Sequence, residues 1–131
     1  MKLVCRVLTL GLVLSFAAPA LAIEQAAQTA TEFYQAYRKA FAKAQKIEDL
    51  LPLMAAGQRA QMEKTPADER KMMFGMLKEM ATAQGDVKVL KETATKTGAE
   101  LTLETKGEKG TATIVKEGGA WKLDKESWTS K

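Results

Sequence analysis

The sequence predicts an α+β fold: N-terminal helices packed on one face of a twisted four-stranded antiparallel meander. Three observations carry this. Apolar residues recur at helical spacing over 24–84, and the period then drops to two over 86–129. The strand-like runs are joined by turns too short for parallel crossovers, so neighbouring strands must run antiparallel.

Residues 1–22 precede this domain and have the three parts of a cleavable secretory signal peptide. Lys2 and Arg6 give the positive start, and Val7 to Phe16 is an apolar run too short for a stable transmembrane helix. Pro19 then interrupts helical structure, and Ala20-Leu21-Ala22 supplies a small-x-small cleavage pattern. A buried first helix does not fit, because the run is apolar all round and no acidic residue precedes Glu24. The expected product is one domain, 23–131, exported to the periplasm or fully secreted. Cys5 is the only cysteine and Ile23 occupies the place a lipid-bearing cysteine would need, so no lipid anchor is expected. No second hydrophobic stretch follows, so no stable membrane anchor is expected either.

The whole chain carries 20 basic and 16 acidic residues, a net charge of +4. Loss of Lys2 and Arg6 with the leader would lower this to +2. That balance gives no basic field for nucleic acid.

Phe33, Tyr37 and Phe41 repeat at i, i+4, i+8 beside Ala30, Tyr34, Ala40 and Ala44, giving the first helix one apolar face. Arg38, Lys39, Lys43 and Lys46 are expected to be a solvated basic face near its end. A shorter helical stretch runs through Leu50, Leu51 and Met54, restarting near Pro52 and ending or bending at Gly57. Thr65-Pro66-Ala67-Asp68-Glu69 reads as a helix start, with Thr65 as cap, Pro66 in the first turn and two acids at the positive end. The helix that follows should bury Met72, Met73, Met76, Leu77 and Met80, stop near Gly85, and pack closely at Gly75.

Beyond Gly85 the apolar positions alternate. Val87 and Val89 open a strand that turns at Lys96-Thr97-Gly98; Leu101 and Leu103 alternate with outward Glu100, Thr102 and Glu104. Gly107 to Gly110 is expected to turn, and Ala112 and Ile114 mark the third strand. Gly118-Gly119 is a hairpin signal, since both glycines can take positive φ. Trp121 and Leu123 share one phase of the last strand, which places Trp121 in the core or a pocket wall. Trp128 lies past the point where alternation fails; it is either exposed, a candidate partner surface, or closes the edge of the roll.

The aromatic first helix with Phe33, Tyr34, Tyr37 and Phe41, the short helices after it, and the closing hairpin Glu117-Gly118-Gly119-Ala120-Trp121-Lys122-Leu123 resemble the nuclear transport factor 2-like superfamily, in particular its small exported bacterial members. The resemblance spans nearly all of 24–131. It implies that the meander is curved into a cone-shaped roll, with a pocket between the helices and the concave sheet. It leaves activity open, because that superfamily includes isomerases, dehydratases, ligand carriers and interaction domains.

There is no histidine, and no cysteine follows Cys5. That excludes Ser-His-Asp and Cys-His catalysis, ordinary zinc sites and imidazole acid–base chemistry in the domain. The leading expectation is therefore a non-catalytic exported domain, without cofactor, that binds a small apolar ligand or a protein partner. Its pocket candidates are Phe33, Tyr34, Tyr37, Met72, Met76, Leu101 and Trp121. The alternative is an isomerase or dehydratase using Tyr34 or Tyr37, which needs an inward carboxylate; Glu92, Glu100, Glu104, Asp124 and Glu126 lie in or beside the strands. A remote alternative is Cu(I) held by the thioethers of Met72, Met76 and Met80. No metal is expected, because the spacing that aligns those sulfurs should also turn them into the core.

Overall fold

The computed structural model describes residues 29–131. The expected signal peptide and the first residues assigned to the first helix lie outside the described residues. The chain forms α1 (Ala30–Lys43), two 3₁₀ turns (Ile47–Asp49 and Leu51–Leu53), α2 (Ala56–Lys64), α3 (Ala67–Gln84), and then β1 (Lys88–Ala94), β2 (Gly98–Glu104), β3 (Glu108–Glu117) and β4 (Ala120–Ser130). The strands make one antiparallel sheet in sequence order. This is the α+β arrangement expected, with helices packed on a meander.

The expected face of α1 is the buried one: Phe33, Tyr34, Tyr37 and Phe41 pack with Leu101, Leu103, Ala112 and Ile114 of the sheet. Their rings run along the helix, with successive centroids 6.3–6.5 Å apart from Phe33 through Tyr37 to Phe41. Thr29 Oγ1 accepts from Glu32 N–H at 3.1 Å, and Glu92 Oε1 accepts from both the N–H and the hydroxyl of Thr31 at 2.7 Å. Two oxygen acceptors thus cover the free amides at the positive end of α1.

Pro52 sits in the second 3₁₀ turn, which restarts helical structure there as expected. Gly57 does not end a helix; it lies in the first turn of α2. The link before α2 runs beside β4, with Ala55 N–H donating to Leu123 O at 2.8 Å. Lys122 is buried against it and donates to Pro52 O at 2.5 Å. Glu117 of the β3–β4 hairpin accepts from Ala56 N–H at 3.1 Å, so a strand residue caps α2.

Helix α3 departs most from expectation. Thr65 is not its cap; the Thr65 hydroxyl back-bonds to Gln61 O at the end of α2, and Pro66 takes the capping position of α3. Gly75 has no close neighbour where a Cβ would stand. Of the five residues expected to be buried, Met72, Met76, Met80 and Leu77 are 67%, 63%, 50% and 38% exposed, and Met73 is half-buried. The side of α3 that meets the protein is instead Phe74, Lys78 and Ala81. Lys78 Nζ donates to Phe41 O, Ala42 O and Ala44 O at 3.0, 2.7 and 3.2 Å and stands over the rings of Phe41 and Phe74. A lysine in the middle of the packed line erases its apolar signature, because its charge is satisfied by the negative end of α1.

In the sheet, Leu101, Leu103, Ala112 and Ile114 are fully buried and Glu100, Thr102 and Thr111 exposed, as alternation requires. Gly118 and Gly119 have φ of +59° and +81°, the tight hairpin expected. The β2–β3 turn comes two residues earlier than expected: it closes at Thr105–Glu108, and Gly110 lies within β3, directly opposite Trp128. Two bulges shape the edge strands. Leu90 is the extra residue in β1 and Asp124 the extra residue in β4.

Candidate functional site

The bulge at Asp124 determines what β4 presents to the helices. On the hairpin side, Leu123 pairs with Ile114; beyond the bulge, Glu126 pairs with Ala112 and Trp128 with Gly110. Ile114, Ala112 and Gly110 are all buried, so their partners share the inner face. A simple alternation from Trp121 puts Glu126 and Trp128 in the wrong phase. Of the two placements left open for Trp128, the packed one is found: the residue covers the sheet edge and does not stand exposed. It is half-buried, packs against the core, lies over Gly110, and donates Nε1–H to Glu126 Oε1 at 2.7 Å.

A cleft of about 410 Å³ opens between α1, α3 and this part of β4. Phe41, Met73, Leu77 and Met80 supply apolar wall, while Tyr37, Arg38, Glu126 and Trp128 bring the polar groups. Its size falls within the range of small-molecule sites. A hollow of about 760 Å³ at the C-terminal end of α3, which shares Met80 and Gln84 with the cleft, is larger, but Asp86, Lys88, Glu104, Glu108 and Lys131 make it a charged surface depression. It includes none of the aromatic residues of α1.

Burial holds both tyrosines neutral. The Tyr34 phenol is pushed well above its ordinary range, first by desolvation, then by the nearby Glu126 carboxylate, with Arg38 opposing. Tyr37 is raised by the same causes in the same order. Tyr34 Oη is buried without a hydrogen-bond partner, although Glu126 stands close enough to raise it. Arg38 makes no ion pair among the described residues, and it borders both this cleft and a second hollow against Lys78 and Asp86. Chemically, the site offers the neutral phenol of Tyr37, one cation and one indole-bound carboxylate beside an apolar wall, with Tyr34 buried behind it.

Of the pocket candidates named from sequence, only Tyr37 is on the cleft wall. Phe33 and Leu101 are completely buried core, and Tyr34 is buried beside Tyr37 at 6.4 Å between ring centroids. Met72 and Met76 are on the outer side of α3, away from the cleft. Trp121 is half-buried beyond the cleft, with Lys116 Nζ 4.5 Å from its ring centroid. The sequence reading assigned Arg38 to a solvated face and named Glu126 only as one of five strand carboxylates, its inward direction hidden by the bulge. Neither leaves a signal in residue spacing alone.

No group of three or more acidic, histidine or cysteine residues fit to hold a metal occurs among the described residues. No helix among them is long and apolar enough to cross a membrane. Compared with known proteins, the chain matches no family model, no curated protein and no solved structure.

Proposed function

We propose that this is an exported binding domain, acting in the periplasm or outside the cell, that takes a small apolar group into the cleft between α1, α3 and β4. The single observation that carries the reading is the cleft itself: an apolar wall with Tyr37, Arg38, Glu126 and Trp128 grouped along it. The order of helices before a four-stranded meander supports kinship with the nuclear transport factor 2-like rolls. A neutral fluorescent probe, N-phenyl-1-naphthylamine, tests the binding. Its emission should rise on titration, and Leu77→Lys should weaken binding about tenfold by placing an ammonium in the wall. A signal unchanged by Leu77→Lys would place the probe elsewhere and defeat this assignment.

The inward Glu126 favours a second reading, proton transfer by that carboxylate with a neutral tyrosine stabilising an oxyanion. Isomerisation of a β,γ-unsaturated ketone by the native protein, lost in Glu126→Gln with probe binding retained, would establish it. Turnover surviving in Glu126→Gln would dismiss Glu126 as the base.

A further inference from the structure

The outer face of α3 has the composition of a buried one. Met72, Met76 and Met80 form a ridge at i, i+4, i+8, each at least half exposed, on the side of the helix away from Phe74 and Lys78. Met76 lies about 160° around the axis from Phe74 at 3.6 residues per turn, so no movement within the fold could bury both. Leu77 and Met80 belong both to this exposed surface and to the cleft wall, which makes the apolar surface continuous from outside to inside. Gly75, with open space around it, leaves a notch beside the ridge.

The charges along the ridge identify what fits there. Asp68, Glu69 and Glu79 flank it on the first and fourth turns, and none has an ion-pair partner among the described residues. Arg70 is engaged by Glu48 at 3.4 Å, leaving Lys71 as the one basic residue of α3 besides Lys78 and Arg70. An apolar ridge with an acidic margin repels anionic lipid and complements an apolar seam flanked by lysine or arginine.

We propose that the cleft's occupant is a side chain of a protein partner, delivered by a basic amphipathic helix lying along Met72, Met76 and Met80. This rests on the cleft reading and narrows its ligand from any small apolar group to an anchor residue on a helix. Packing of one helix against another would use the methionine ridge, whose flexible thioethers adapt to the partner's shape. One large apolar residue would then pass Leu77 into the cleft, the usual form of a binding hot spot.

The test uses the protein recovered after expression of the full chain and an 18-residue peptide, the length of α3, with leucines on one face and lysines flanking them. The peptide should bind and displace N-phenyl-1-naphthylamine. Met72→Ser/Met76→Ser should weaken it about tenfold while leaving the probe's own affinity unchanged. Glu69→Lys/Glu79→Lys should reverse the preference toward a glutamate-flanked version of the peptide. Circular dichroism of these exposed-site variants checks that each stays folded. Equal binding of both peptides, binding indifferent to the methionine changes, or no peptide binding beside intact probe binding would overturn the partner while leaving the cleft reading in place. Failure of the probe itself would remove the cleft reading and the anchored partner with it. Association with anionic vesicles, or self-association in sedimentation abolished by Met72→Ser/Met76→Ser, would reassign the face to a membrane or to a second copy.

Discussion

Trp128 and Gly110 form a pair whose energetics test the inner-face placement of the last strand. A Cβ built on Gly110 would lie 2.5 Å from Cε3 of Trp128 and 2.8 Å from Cδ2 and Cζ3. Carbon atoms in contact prefer about 3.5–4.0 Å, so Gly110→Ala forces the indole outward by about 1 Å. Shifting a ring packed on the core and bonded to Glu126 should cost about 2 kcal/mol, the middle of the overpacking range. Trp128→Ala removes a half-buried indole. Full burial of a tryptophan is worth about 3–5 kcal/mol, so half of that, about 2 kcal/mol, is the expected loss. The two changes must not add. Without the indole, the alanine methyl enters free space and relieves a strand glycine, a gain of about 0.5–1 kcal/mol. The double variant should therefore be no less stable than Trp128→Ala alone, a coupling of about 2–3 kcal/mol. Urea unfolding of the four proteins gives the cycle, with constant m-values required for comparison. In thermal unfolding, a loss of about 2 kcal/mol corresponds to roughly 8–16 °C for a domain this size. Equal penalties for Gly110→Ala with and without Trp128 would show that the ring does not cover the glycine, and the phase change at Asp124 would be wrong.

Gly98→Ala should be worse than Gly110→Ala, because its Cβ would run into Ile114 O and lie 2.7 Å from Val115 Cα, backbone atoms that cannot swing aside. A denaturation midpoint equal to that of the native protein would refute the close β2–β3 approach; the expected loss is about 3 kcal/mol or more. Tyr34 and Tyr37 have folded-state pKa values raised above the unfolded value, so their contribution is fully present below about pH 10 and is lost as pH rises above it. Stability measured across that window should fall, and Tyr34→Phe/Tyr37→Phe should flatten the fall; an equally steep decline in the double variant would assign it to other groups. For Cu(I), the expectation of no tight binding now rests on geometry. Met72 and Met80 are two turns apart, about 12 Å along the axis, too far for three thioethers to close on one ion without strain; tight one-to-one uptake in a chelator competition, lost in Met72→Leu/Met76→Leu/Met80→Leu, would contradict this.

The fold was legible wherever one period held without interruption. Phe33, Tyr37 and Phe41 marked the buried face of α1, and Leu101, Leu103, Ala112 and Ile114 marked the inner face of the central strands. Central strands are constrained by neighbours on both sides, so their alternation is read directly from residue type. The reading failed at α3 because burial there follows Phe74, Lys78 and Ala81, and a lysine does not announce itself as a packed residue. Its charge is accommodated by carbonyls 34–37 residues earlier, a partnership that helical periodicity cannot show. The methionine ridge then offered the only apolar pattern, and hydrophobicity without a visible partner was taken for core. The candidate site was less legible still. Tyr37 could be named from α1, but its neighbours Arg38 and Glu126 depended on where α3 and β4 approach it.

The two edge bulges explain why the polar groups stand where they do. At Leu90 the register of β1 slips by one, so Glu92 pairs with inward Leu101 and reaches Thr31 at the start of α1. At Asp124 the register of β4 slips likewise, so Glu126 pairs with inward Ala112 and faces the tyrosines in the middle of α1. One extra residue in each strand exchanges its two faces from that point onward. Without the first, the carboxylate capping α1 would point to solvent; without the second, Glu126 and Trp128 would leave the cleft together. The same device therefore serves stability at one edge and the candidate site at the other. The distinction between them is local: Glu92 has the free amide and hydroxyl of Thr31 to satisfy it, whereas Glu126 is met by one indole N–H and stands near a phenol with no bond of its own. A carboxylate held by one indole N–H on the wall of an apolar cleft is a group that an occupant can still engage. That difference in satisfaction, more than the cleft's size, makes the β4 edge the candidate site.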